Sequence, residues 1–409
     1  MLDTLRADHL GVYGYERATS PNLDQFASEN VLFKFAVTAA PWTPPSVAGM
    51  LSGLYPRSHS FMPPNSRDEA KAGASMLSPN VLTLPEILKA QGYATHAISP
   101  NPWITKEFGY DQGFDQFEYH PRAQAEAITK LGIKAIDRLA DQKEPFFVYL
   151  HYLDPHDPYT PPSSYAKKFQ GPLKSREYSA EMQRKIGLYD GEIAYMDQWL
   201  GGLFNHLKEK GLYEDCVIVV IGDHGEQFLE HGNLTHGNQV VNPELHVPLM
   251  IRTGATAQKR VVDYTVSTID AFPTVLELVG LKAPDGYQSV SLVKDEYSST
   301  RGGVLSEIRR KFNQRAFTSF EGKRLVIGSS NESLEVSSED PTKNIVALLD
   351  SVKDYWEVSP LNNPELLKEL QLEFSSELER SDRLKVKPVV GADVSEEQIK
   401  QLESLGYLK

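Results

Sequence analysis

The run Cys216-Val-Ile-Val-Val-Ile221 is apolar throughout, is rich in β-branched side chains, and breaks at once into Gly222-Asp223-His224-Gly225. A strand with one wet face alternates apolar and polar residues, whereas a strand covered on both faces reads as a continuous apolar run. Such strands belong to sheets with helices on either side. The pattern recurs at Tyr93-Ala-Thr-His-Ala-Ile98 and at Phe146-Phe-Val-Tyr-Leu-His151. Between these runs the spacing of apolar residues is helical, at Val81–Gln91 with Gly92 placed to stop it, at about 122–141, and at roughly 178–210. The fold class is therefore α/β: an α/β/α sandwich around a large mixed, mainly parallel sheet. Beyond about residue 300 the signal becomes scattered charge, a short strand at Arg324-Leu-Val-Ile327 and helical stretches near 364–382 and 395–405. This predicts a large domain over 1–300 and a small α+β subdomain over 301–409.

In open α/β sheets ligands bind beyond the carboxyl ends of the strands. Two polar clusters lie at such ends, His151 to Tyr159 and Asp223 to His236. Asp223-His224 is the most specific of the local signals, because a carboxylate and an imidazole side by side can both reach one divalent cation. The formal net charge of −13 opposes binding to nucleic acid or to an anionic membrane, so an anionic substrate has to meet local positive charge such as a metal. The single cysteine excludes an intramolecular disulfide and any thiolate-cluster zinc site, and its place in the apolar run marks Cys216 as a buried strand residue. No apolar stretch approaches the roughly 20 residues of a membrane-spanning helix, and Met1 is followed by polar sequence rather than a signal peptide.

Several further stretches stand in order with these. They are Asp3-Thr-Leu-Arg-Ala-Asp-His-Leu-Gly11, Ser20-Pro-Asn-Leu-Asp24, Thr43-Pro-Pro-Ser46 with Leu51-Ser-Gly53, Gly113-Phe-Asp115, His151 through Pro161, Asp223-His-Gly-Glu226 with Glu230-His-Gly232, His246-Val-Pro-Leu249, Ile269-Asp-Ala-Phe-Pro-Thr274 and Gln401-Leu-Glu-Ser-Leu-Gly-Tyr407. Together they resemble the sulfatase family of the alkaline phosphatase superfamily over nearly the whole chain. The resemblance implies one divalent metal (Ca, Mn or Zn) held by Asp3, Asp223 and His224, with Thr43 completing the shell as nucleophile and Thr4 beside it. It implies His156 and His236 as the groups that bind ester oxygens or protonate the leaving group, and Asn101 and Ser46 as substrate contacts. His151 and Asp154 orient their neighbours or hold a second metal, and His231 and His246 are structural or support the site from behind. Trp42 and Trp103 are packing residues.

Two positions depart from the family pattern. Where sulfatases carry the Cys or Ser that is oxidised to formylglycine this chain has Thr43, and where they carry an Arg it has Val47. Threonine does not yield the aldehyde, so formylglycine is not expected. A threonine nucleophile with Asp/Asp/His ligation is similar instead to phosphoester hydrolases and phosphoethanolamine transferases of the same superfamily. From the residues alone, Thr43 before Pro44-Pro45 also fits a helix cap.

The resulting expectation is a metal-dependent hydrolase of sulfate or phosphate-type esters, acting on a small-molecule, glycan or lipid ester. A phospho-group transferase and a catalytically inert binding protein of the same fold are the alternatives. Family members place a buried strand before the residue matching Asp3, so a first strand is expected to be missing here, with compartment and oligomeric state unread.

Overall fold

In the computed structural model the described residues are all but 175, 294–300, 311–312, 330–344 and 409. Seven strands form the central layer: β1 (Val31–Val37), β2 (Ala94–Ser99), β3 (Gln116–Tyr119), β4 (Phe146–Leu150), β5 (Val217–Ile221), β6 (His246–Thr253) and β7 (Arg260–Ser267). They pair in two groups, β7-β1-β6-β5 and β3-β2-β4. Leu2 joins the groups by bridging to Tyr152 and to Gly222, in parallel with both. Of the seven strands only β6 runs against the rest. The layer is thus mixed and mainly parallel, as the apolar runs predict.

Period-2 geometry sends alternate side chains to opposite faces. Val31, Phe33, Leu249 and Ile251 enter one apolar core, and Leu32 and Met250 enter the other. One face is covered by α1 (Pro21–Glu29) and by the long helices α4 (Ala125–Asp141) and α5 (Ala180–Glu209). The opposite core takes in α2 (Thr43–Ser52), α3 (Leu84–Ala90) and α6 (Ala271–Leu278). Local chemistry sets the helix starts more sharply than the apolar spacing does. The α3 helix begins at Leu84, not Val81, because Thr83 and Glu86 form a capping box. Likewise α4 begins at Ala125, whose N–H donates to Asp154 Oδ2 at 2.9 Å; Arg122 has a left-handed φ of 56° that no helix accommodates.

The C-terminal part is a four-stranded antiparallel meander, β8 (Gly303–Arg309), β9 (Asn313–Ser319), β10 (Lys323–Ser329) and β11 (Ile345–Asp350). Helix α7 (Pro364–Arg383) packs on it through Leu370, Phe374 and Leu378, and α8 (Glu396–Ser404) leads the chain back to the main domain. None of the described helices is long and apolar enough to cross a membrane.

Between β4 and β5 the layer has a gap. Pairing across it is limited to the Met1–Asp3 segment, where Leu2 N–H donates to Ile221 O at 2.9 Å, Asp3 N–H to Tyr152 O at 2.9 Å and Tyr152 N–H to Met1 O at 3.0 Å. Alongside the strands themselves lies a cavity of 530 Å³, lined by Val148, Leu150, Val219, Leu203, Leu207 and Met50 among others. The cavity explains one difference from the sequence reading. Cys216 lies just before β5, is half-buried and lines this gap, rather than sitting inside a covered strand.

Candidate active site

The candidate site lies where the Met1–Asp3 segment, the end of β5 and the start of α2 meet. Asp3, Asp223 and His224 are buried, and one ligand atom from each falls within 4.8 Å of the others. His224 Nε2 lies 3.7 Å from Asp3 Oδ1 and 3.5 Å from Asp223 Oδ2. Atoms that each stand about 2.0–2.4 Å from one divalent cation are separated by such distances.

The hydrogen bonds show which atoms are left for a ligand. Asp3 Oδ2 accepts from His151 Nε2 at 2.8 Å and from Asn101 Nδ2 at 2.6 Å, and Asp223 Oδ1 accepts from the main-chain N–H of Thr4 at 3.1 Å and of His224 at 2.8 Å. The other oxygen of each carboxylate, Asp3 Oδ1 and Asp223 Oδ2, is buried with no hydrogen-bond partner. Gly225 O, 2.9 Å from His224 Nδ1, has no proton to give, so Nδ1 carries the hydrogen and Nε2 keeps its lone pair. Two bare carboxylate oxygens and one imidazole lone pair converging in a dry pocket fit a divalent cation and leave a large electrostatic cost without one.

The ionisation of the two acids reflects that cost. Asp223 is pushed well above the ordinary carboxylate range by burial and by the charge of Asp3. Burial acts on Asp3 in the same direction, but the hydrogen bond and charge of His151 outweigh it and hold Asp3 below that range. Burial lowers His224, with the neighbouring His236 adding to the effect.

Thr43 opens α2, followed by Pro44 and Pro45, while the N-cap residue is Trp42 and makes no side-chain cap bond. The hydroxyl of Thr43 is turned the other way, with Oγ1 3.1 Å from His224 Nε2 and 3.3 Å from the Tyr407 hydroxyl. The remaining residues singled out in the sequence are placed as follows. The Thr4 hydroxyl donates to Pro155 O, and its left-handed φ of 51° is what turns its N–H to Asp223. Ser46 Oγ donates to Asp223 O at 2.7 Å, holding the turn after β5, and Asn101 sits behind Asp3. His151 orients Asp3, with Tyr149 hydroxyl 3.1 Å from its Nδ1, and Asp154 caps α4. The rings of His156 and His236 are 5.0 Å apart, and that of His236 lies 4.3 Å from His224. His156 Nδ1 is 2.5 Å from Asp157 O, so Nδ1 holds the hydrogen, and Nε2 is buried without a partner. Burial depresses His236, whose Nδ1 faces Glu226 Oε1 at 3.3 Å; burial raises Glu226 to about 8. Trp42 and Trp103 pack edge to face, and His246 is tied to Lys34 O among aromatic rings.

Two residues at the site were given no role by the sequence reading, although Tyr407 ends one of the stretches that carry the resemblance. The Tyr407 ring packs against His156, His236 and Trp103. Arg310 lies over the Trp42 ring at 4.5 Å and donates from Nη2 to Tyr407 O at 2.8 Å; burial lowers it to about 10. It brings a cation to the rim beside Gly237, where the sequence had located none.

The sulfatase family profile matches residues 1–281. An ulvan-active sulfatase of Formosa agariphila is 25% identical over 330 residues; the match covers 71% of this chain and 63% of that protein, so the chain spans less than two thirds of it. A solved structure from work on glycosaminoglycan metabolism by Bacteroides thetaiotaomicron superposes with a TM-score of 0.76 at 18% identity, covering 93% of this chain and 95% of that one. The phosphonate monoester hydrolase of Silicibacter pomeroyi superposes with a TM-score of 0.69 at 19% identity, covering 94% of each chain. With its motifs, its fold and more than half its length in agreement, the chain belongs to the sulfatase family of the alkaline phosphatase superfamily.

Proposed function

We propose that this protein hydrolyses esters of phosphoric or sulfuric acid, with Thr43 as the nucleophile. The observation that carries the reading is the position of Thr43 Oγ1, 3.1 Å from the imidazole nitrogen that completes the Asp3–Asp223–His224 set and at the first turn of a helix. Helix N-termini favour negative charge, which supports attack on an anionic ester rather than on a neutral one.

A divalent cation, when held by Asp3, Asp223 and His224, would neutralise the substrate's oxygens and lower the pKa of a hydroxyl beside it. The residues do the rest. Thr43 Oγ1 forms a bond to phosphorus or sulfur as the bond to the ester oxygen breaks. Its proton passes to His156 Nε2, the unpartnered lone pair, and from there to the departing alkoxide. Water then attacks the same centre, the bond to Thr43 Oγ1 breaks, and one proton of that water passes through His156 to the Thr43 oxygen, restoring the hydroxyl. Arg310 at the rim supplies positive charge for the incoming anion. Threonine at position 43 supports phosphoester over sulfoester chemistry, and among the structural relatives the phosphonate monoester hydrolase supports the same choice.

The test is a parallel assay of an aryl sulfate, a phosphate monoester and a phosphodiester with Mn, Zn and Ca in turn. At least one phosphoester is turned over, and Thr43→Ala removes that turnover. Full activity in Thr43→Ala would return Thr43 to a structural role, and turnover of the aryl sulfate alone would overturn the phosphoester preference.

A further inference from the structure

Tyr407 closes the terminal Gln401–Tyr407 stretch, beyond residues 1–281 over which the family profile matches, and its hydroxyl has two hydrogen-bonding neighbours at the centre of the site, Asn101 Nδ2 at 3.2 Å and Thr43 Oγ1 at 3.3 Å. The direction of each bond follows from the donors. The Asn101 amide nitrogen can only donate, and it serves Asp3 Oδ2 with one hydrogen and the Tyr407 oxygen with the other. The phenol oxygen therefore accepts from Asn101, and its own proton points toward Thr43. At the far end, His224 Nδ1 gives its hydrogen to Gly225 O, so Nε2, when it holds no cation, accepts from the Thr43 hydroxyl. The chain of donors runs one way, from Asn101 through Tyr407 and Thr43 to His224.

The phenol is fixed in that attitude. Its ring centroid lies 5.1 Å from that of His156, 5.7 Å from His236 and 5.8 Å from Trp103, and its main-chain carbonyl accepts from Arg310. The helix before it is anchored by buried Ile399 and Leu402, and by Gln398 Nε2 at 3.1 Å from both Pro102 O and Thr105 Oγ1. Tyr407 is a wall of the site.

We propose that Tyr407 is a catalytic residue: its hydroxyl donates a hydrogen bond, without giving up the proton, to the non-bridging oxygen that gains negative charge as Thr43 attacks. This rests on the reading of Thr43 as nucleophile, since the space in front of Thr43 Oγ1 is then where that oxygen forms. A phenol carries its proton throughout the neutral range, so the donor is present there.

The experiment compares the full chain with Tyr407→Phe, which keeps the ring and removes only the donor. Rates are taken per folded molecule, counted by near-ultraviolet circular dichroism. Loss of one donor aimed at a developing oxyanion costs about 10²–10³ in kcat; a fall of at least about tenfold in kcat is expected, with KM within about twofold. A second, binding measurement uses orthovanadate, an oxyanion shaped like the transition state, and Tyr407→Phe should bind it at least about tenfold more weakly. Unchanged kcat and unchanged vanadate affinity, in a protein whose wild-type turnover is abolished by Thr43→Ala, overturn the role of Tyr407 alone. A wild-type protein that turns over none of the three esters overturns the Thr43 reading first.

Discussion

The two sides of Leu2 are opposites. Toward the carboxyl ends of β4 and β5, polar side chains from distant segments meet in a buried pocket where Asp3 Oδ1 and Asp223 Oδ2, both without a hydrogen-bond partner, converge with His224. Toward the bodies of those strands lies an apolar cavity of 530 Å³, across which β4 and β5 do not pair with each other or with another strand among the described residues. Asp3 sits on the seam between them, at the end of the Met1–Asp3 segment. Geometry at the polar side is thus set by side-chain hydrogen bonds as much as by the sheet. His151 and Asn101 fix Asp3, Thr4 and Ser46 fix Asp223, and each is itself buried.

The sharpest way to break this contrast is to remove the charge that the polar side concentrates. Asp223 is held well above its ordinary pKa by burial and Asp3, so above the unfolded pKa of about 4 its ionisation counts against folding, and the loss grows as pH rises. Asp223→Asn should therefore raise the melting temperature of the protein in chelator at neutral pH. The same change should abolish binding of Mn or Zn and lower ester turnover by on the order of 10³, since charge neutralisation by a metal is worth several kcal/mol. A variant that is less stable in chelator and equally active with metal would show that the carboxylate is a structural group.

A smaller effect tests whether side-chain hydrogen bonds, rather than the seam, position Asp3. His151 Nε2 donates to Asp3 Oδ2 while Nδ1 faces the Tyr149 hydroxyl, an arrangement that fixes the ring and the carboxylate together. Removing a partner that orients a metal ligand typically costs about 10–100-fold in affinity. Titration calorimetry on His151→Ala should find a loss in that range. Affinity equal to wild type would assign the positioning of Asp3 to Asn101 and the backbone instead.

The contrast also explains what the sequence could reveal. Asp223-His224 and His151 to Tyr159 were legible because they follow apolar strands directly, and a strand end in an α/β sheet is a defined place. Thr43 was legible in position but ambiguous in role. The structure resolves its surroundings: Trp42, not Thr43, holds the N-cap position, and the Thr43 hydroxyl turns to His224. Tyr407 could not be placed, because its contact with Thr43 spans 364 residues and no local pattern encodes so distant a pairing. Arg310 has the same difficulty, lying on an edge of the C-terminal meander with no motif around it. Asn101 and Ser46 were found as site residues, but only the packing shows that they turn toward Asp3 and Asp223 rather than outward. The expectation for Cys216 failed for a physical reason as well: an apolar run implies cover on both sides, and the gap removes part of it.

The smallest effect concerns the apolar side. In a close-packed core, enlarging a side chain costs about 1–3 kcal/mol because neighbours have no room to yield. Val148 on β4 is only partly buried and lines the gap, whereas Val247 on β6 is fully buried, its pairing partner is Ala36, and a Cβ at Gly222 would meet its Cβ at 3.0 Å. Val247→Phe should accordingly be destabilising by that amount in chemical denaturation. In the chain that begins at Met1, Val148→Phe should cost less than Val247→Phe, because its side chain lines a cavity of 530 Å³. Equal losses in the two variants would mean that the strands close over the gap in solution. Asp3 would then owe its position to a continuous sheet, and the hydrogen bonds of His151 and Asn101 would be secondary.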